Sequence, residues 1–138
     1  MKLTRFCSLE EFQKFIGGEK LINKTNHSKE NGCVTSSIGF CFSKDDPKTA
    51  WQYLKGIVSY DICMVVDIQE SRLTKSYGRY PDYSNGQLGE TLCLKPEYCI
   101  TSYSNKNATL IKVLKTPDFA SSDEIYALRL MAALGLIK

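Results

Sequence analysis

Val34-Thr35-Ser36-Ser37-Ile38-Gly39-Phe40-Cys41-Phe42 runs three hydroxyl residues straight into an apolar, aromatic segment. The aromatic half reads as a strand, and the hydroxyls stand at its head. Positions that would otherwise carry core residues are given to groups that accept and donate hydrogen bonds at once. Such a row either satisfies backbone groups at the strand start or holds a ligand's sugar and amide. Both uses fit this stretch alone, and its surroundings bear on the choice.

Upstream, Asn23 to Gly32 is polar throughout and forms a loop of about ten residues, near the length at which loops tend to be functional. Its His27 reads as a solvated bystander. Before the loop, Ser8-Leu9-Glu10-Glu11 is a capping box, with Ser8 as N-cap and Glu11 reaching back. The helix it opens carries Leu9, Phe12, Phe15 and Ile16 on one face and stops at Gly17-Gly18. Leu3 to Phe6 alternates as a first strand, with Arg5 on one face and Thr4 and Phe6 on the other.

Downstream, Asp45-Asp46-Pro47 starts a helix with an acidic N-cap and Pro at its first position, and Ala50, Trp51 and Leu54 form its apolar face before Gly56. Tyr60 to Ile68 is β-rich and bounded by charge, a central strand. Tyr77 to Gly86 is rich in turn formers and tyrosines and reads as a long surface loop. Glu97 to Tyr103 and Ala108 to Leu114 are strands separated by the hairpin residues Ser104 to Asn107. Ser122-Asp123-Glu124 caps a last helix through Leu134, and Gly135 ends it. Helices early and strands late indicate an α+β domain.

At 138 residues, 43% hydrophobic and 24% charged, the chain has the length and composition of one soluble domain, residues 1–138. Its net charge of +3 is too small to be the footprint of a nucleic-acid binder, and neither demands nor excludes that partner. The longest apolar runs, such as Ile62 to Val66, fall far short of the roughly 20 residues of a membrane helix. Met1 to Phe6 lacks the apolar stretch of a secretory signal, which points to the cytoplasm. In that compartment the six cysteines are structural thiols. No pair has C-x-x-C spacing, so no metal site is expected.

Arg5 on the first strand, Thr35-Ser36-Ser37 at a strand start and Glu97 at a late strand together resemble the Arg, Ser-Thr-Ser and Glu signature of the ADP-ribosyltransferase family, in its toxin-like branch. The Arg followed by a short amphipathic helix and a Gly resembles the opening of small bacterial and phage members, and Pro47 to Gly56 followed by Tyr60 to Ile68 resembles their next unit. The resemblance covers residues 3–114.

That resemblance implies a split β-sheet core with short flanking helices and a C-terminal helix. It also implies a mono-ADP-ribosyltransferase that consumes NAD and modifies a macromolecular acceptor, a protein or else a nucleic acid. Cleaving the bond between nicotinamide and ribose builds an oxocarbenium-like cation, and a fixed carboxylate beside it stabilises charge present mainly in the transition state. Glu97 takes that catalytic role. Arg5 pairs with a diphosphate oxygen, Thr35 holds the ribose or orients Glu97, and Ser36 and Ser37 stabilise the strand start. Phe40, Tyr80 and Tyr83 are candidates to stack on nicotinamide.

The chain departs from the family pattern in several places. Thr4 rather than an aromatic residue precedes Arg5, the first hydroxyl is Thr35 rather than Ser, and Lys95 stands two residues before Glu97 where arginine-modifying members carry Glu or Gln. A cation there repels an arginine acceptor. Glu90, in Gly89-Glu90-Thr91, is the rival to Glu97. The alternative function is an inactive domain of the same fold that grips a protein partner through the tyrosines of residues 77–83 and the basic loop around Lys24 and Lys29.

Overall fold

Alternation of Leu3, Arg5 and Cys7 with Thr4 and Phe6 gives β1, Lys2–Cys7, a strand with a usable side chain on both faces. The computed structural model describes residues 1–22, 39–55, 62–81, 92–118 and 120–135. The loop with His27, the hydroxyls Thr35, Ser36 and Ser37, and both Tyr83 and Glu90 lie outside them.

After β1 come α1 (Leu9–Ile16), β2 (Leu21–Ile22), β3 (Phe40–Phe42), α2 (Pro47–Leu54), β4 (Ile62–Ile68), β5 (Thr74–Pro81), β6 (Leu92–Ile100), β7 (Ser102–Tyr103), β8 (Ala108–Lys115) and α3 (Ser122–Ala133). The class is mixed α+β, with antiparallel sheets. One sheet runs β1-β4-β8, a second β3-β6-β5, and β2 pairs with β7. Among the described residues one backbone bridge joins the two larger sheets, Thr4 to Ser43, where the two amides donate to each other's carbonyls at 2.7 and 2.9 Å.

Alternation along these strands sorts the interior into two cores. Leu3, Phe40, Phe42, Met64, Val66, Tyr98, Ile100 and Tyr103 pack on one face with Phe15 of α1. Phe6, Cys63 and Tyr80 pack on the other with Trp51, Tyr53 and Leu54 of α2, and Ile125 and Leu128 of α3 lean on that second core. The Lys55–Glu124 ion pair, 2.6 Å long, ties the end of α2 to α3.

The helix starts follow from their caps. Ser8 Oγ accepts from the Glu11 amide at 3.1 Å, and Asp46 accepts from the Thr49 amide at 2.8 Å ahead of Pro47. The last helix is capped one residue earlier than expected, by Ser121, whose hydroxyl accepts from the Glu124 amide.

Three strand expectations are corrected. Residues 77–81 are strand rather than loop, because all of Thr74–Pro81 finds partners on β6 despite its turn-forming residues. Glu97 does not open a strand but sits in the second half of β6. Pro96 just before it is tolerated because β3 pairs only with Tyr98 to Ile100, leaving β6 one partner at Pro96 among the described residues. The turn at Ser104 to Asn107 forms, but no hairpin does. The Ser104 carbonyl takes the Asn107 and Ala108 amides and the Asn107 side chain takes the Ser104 amide, so the turn is satisfied locally. Its flanking strands are then free to join different sheets, β7 with β2 and β8 with β4.

Gly39 lets the chain entering β3 lie close against the end of β6. Its φ of +147° is a conformation L side chains avoid, and a Cβ there would overlap the Ile100 carbonyl where β6 ends.

Candidate functional site

Alternate residues of a strand share a face with their cross-strand partners, and Gly78 pairs with Lys95 and Tyr80 with Cys93, so Glu97 stands with Cys99, Lys95, Gly78 and Tyr80 toward α2. From β3, Cys41 sits directly opposite Cys99. The Glu97 side chain is 8% exposed. Its Oε1 accepts from the Tyr80 hydroxyl at 2.9 Å, and its Oε2 lies 3.1 Å from Cys41 Sγ and 3.6 Å from Cys99 Sγ. Among the described residues no cation pairs with it. Gly78 is what lets the carboxylate lie across β5, since a Cβ at that position would overlap Oε1.

Above Glu97 a cleft is lined by Thr4, Phe6, Cys41, Ser43, Tyr53 and Tyr80, with free space of about 10 Å³, room for about one water. Its rim is a closed chain of hydrogen bonds. Thr4 donates to the Asp45 carbonyl at 2.7 Å, Tyr53 donates to the Asp45 carboxylate at 2.9 Å, and Ser43 Oγ bonds Tyr53 OH. Because the Tyr53 proton goes to Asp45, Ser43 is the donor to Tyr53. Lys95 lies over the Tyr53 ring, 5.1 Å from its centroid.

Burial, followed by the charge of Glu97, pushes the Tyr80 hydroxyl above its ordinary range, so it stays a donor at neutral pH. The bond to Cys99, followed by burial, pushes the Cys41 thiol up. Burial raises Cys63 to about 12. These two thiols are therefore protonated at neutral pH and are not nucleophiles.

Arg5 lies on the opposite face. It is 1% exposed, and Nε and Nη2 donate to the two Glu11 carboxylate oxygens at 2.8 Å each while Nη1 donates to the Cys41 carbonyl at 2.9 Å. Its guanidinium rests over the Phe40 and Phe42 rings, 5.2 and 5.5 Å from their centroids. Tyr103 donates its hydroxyl to Glu11. Thus the fold brings Glu97 and Tyr80 together and puts Arg5 and Phe40 together behind β3. Tyr80 is buried with its ring tilted against that of Tyr53, 5.3 Å between centroids, not an exposed ring on a loop.

A second cleft of about 170 Å³ shares Thr4 with the first and is lined by Lys2, Lys44, Lys112, Asp45 and Asp46. Pairing of Thr4 with Val65 and of Val65 with Lys112 puts it on the Glu97 side of the sheet. Sequence reading missed these lysines, along with Ser43, Tyr53, Cys41 and Cys99. Only Gly78, a glycine inside an aromatic run, carried a legible sign of close approach.

Neither the protein-family models, nor the curated proteins, nor the solved structures contain a significant match to this chain.

Proposed function

We propose that the protein is an NAD-dependent mono-ADP-ribosyltransferase in which Glu97 supplies the catalytic carboxylate. The observation that carries this reading is the setting of Glu97, a buried carboxylate held by the neutral Tyr80 hydroxyl with no cation partner among the described residues. A carboxylate kept without a counter-ion costs folding energy and is suited to meet a cation that appears only during a reaction. The sheet split at Thr4 and Ser43, flanked by short helices, supports the ADP-ribosyltransferase fold. Cations for the NAD diphosphate are at hand in Lys2, Lys44 and Lys112, on the same side of the sheet as Glu97. On this reading Tyr53 and Leu54, which line the cleft, move aside to admit a nicotinamide ring.

The test is titration of the purified protein with NAD, following binding by calorimetry and nicotinamide release in the same samples, beside Glu97→Gln. The expected outcome is binding to both proteins and release by the native one alone. Release at an unchanged rate from Glu97→Gln sinks the assignment.

One arrangement favours a second reading, a non-catalytic domain of this fold that grips a protein. Arg5, the family's diphosphate ligand, is bound two-pronged to Glu11. Tyr77, Leu92 and Leu94 stand exposed on the face of β5 and β6 away from Glu97. Absence of NAD binding at millimolar concentration, with partner capture lost when Tyr77 and Leu94 become Ser, is the outcome that reading expects.

A further inference from the structure

Cys41 and Cys99 are separated by 58 residues in sequence, yet their sulfurs stand 3.6 Å apart across β3 and β6. With Glu97 Oε2 they form a triangle of donor atoms, 3.6 Å between the sulfurs, 3.1 Å from the oxygen to Cys41 and 3.6 Å from the oxygen to Cys99. Tetrahedral bonds of about 2.3 Å to sulfur and about 2.0 Å to oxygen set neighbouring ligand atoms roughly 3.5–3.8 Å apart. Two edges of the triangle already match, and the third opens by a few tenths of an ångström.

We propose that Cys41, Cys99 and Glu97 form a binding site for a thiophilic divalent cation, with zinc as its first candidate. The carboxylate is already oriented for this: Oε2 faces both sulfurs, while Oε1 is occupied by the Tyr80 hydroxyl, an outer partner of the kind that fixes metal-binding side chains. All three ligands are buried, on paired strands rather than mobile chain, so the donors are preorganised. Two thiolates select zinc, cadmium or cobalt over magnesium and calcium. The exchange balances without a redox partner: the cation displaces one proton from each thiol to solvent and accepts an electron pair from each sulfur and from the carboxylate. The product carries one net negative charge, and Lys95, on the same face of β6, is placed to offset it. The fourth position faces the cleft above Glu97, open to a water.

Glu97 serves either the cation or the reaction at one time, so the site does not rest on the enzymatic reading, and its test needs no NAD. Reduced protein is freed of metal and titrated with cobalt(II), watching the thiolate-to-metal charge-transfer band, and then with zinc to displace it. One equivalent is expected, with the band abolished in Cys41→Ser/Cys99→Ser and retained in Cys7→Ser/Cys63→Ser. Tyr80→Phe, which keeps every ligand, should weaken binding about 10- to 100-fold. Circular dichroism establishes that the variants fold, and Cys99→Ala repeats the test if the double variant does not. Lack of a thiolate band in the native protein, or a band that survives in Cys99→Ala, overturns the proposal. Formation of a Cys41–Cys99 disulfide under the reducing conditions used, blocking uptake, overturns it equally.

Discussion

A single missing methyl group decides where the Glu97 carboxylate lies. Gly78→Ala adds a Cβ that overlaps Oε1 and crowds the Tyr80 ring, so the carboxylate, held by Cys41 and Tyr80, has to leave its place. Displacing a reacting group by about 1 Å costs on the order of a hundredfold in rate. Gly78→Ala is therefore expected to lose most nicotinamide release while keeping its melting temperature within a few degrees, read by parallel activity and thermal scans. Arg5 makes the opposite case. Removing it takes the two-pronged cation from the buried Glu11 carboxylate, which costs roughly 3–5 kcal/mol. In urea unfolding Arg5→Ala should show that loss, and Glu11→Gln in addition should cost much less than the sum of the single changes. A small effect of Arg5→Ala on stability would mean that the pair with Glu11 is not structural.

At the scale of elements, α2 is the roof of the Glu97 cleft, supplying Tyr53 and Leu54, and its start depends on Asp46. Asp46→Ala should cost about 0.5–2 kcal/mol. The bonds from the Thr49 side chain and amide hold the Asp46 carboxyl below its ordinary value. The cap's contribution is thus complete above the unfolded carboxyl pKa of about 3.9 and is lost as pH falls through the lower folded value. Acid titration of native and Asp46→Ala proteins should converge at the low end. The elements were also where sequence reading succeeded and failed for identifiable reasons. Ser8, Asp46-Pro47 and Gly135 mark helix ends through local chemistry, and local chemistry survives without tertiary context. Thr74–Pro81 defied that reading because its Gly and Pro are tolerated only by virtue of β6 beside it, a partner distant in sequence. Glu97 is a candidate in the sequence through the family resemblance alone, and Tyr80 reads there as part of a loop where the structure has strand. Cys41 and Cys99 became neighbours only through the register of β3 on β6, which no short-range spacing encodes.

On the scale of the whole molecule, three of the tyrosine hydroxyls are raised by burial first: Tyr53, Tyr80 and Tyr103, the last by Glu11 as well. A hydroxyl whose folded pKa is raised stabilises the fold fully below the unfolded value of about 10 and withdraws that support as pH climbs above it. Alkaline titration should thus show Tyr53, Tyr80 and Tyr103 ionising together with loss of the fold, by tyrosinate absorbance beside circular dichroism. Simultaneous ionisation of all of them in folded protein would contradict the buried assignments. Finally, the seam between the two large sheets carries, among the described residues, the two backbone hydrogen bonds of Thr4 and Ser43, worth about 0.5–1.5 kcal/mol each, and the bond from Arg5 to the Cys41 carbonyl. Thr4 and Ser43 both line the cleft above Glu97. The cleft is therefore built over the junction of the two sheets, so a shift of one sheet against the other reshapes it while each keeps its own ladder of hydrogen bonds.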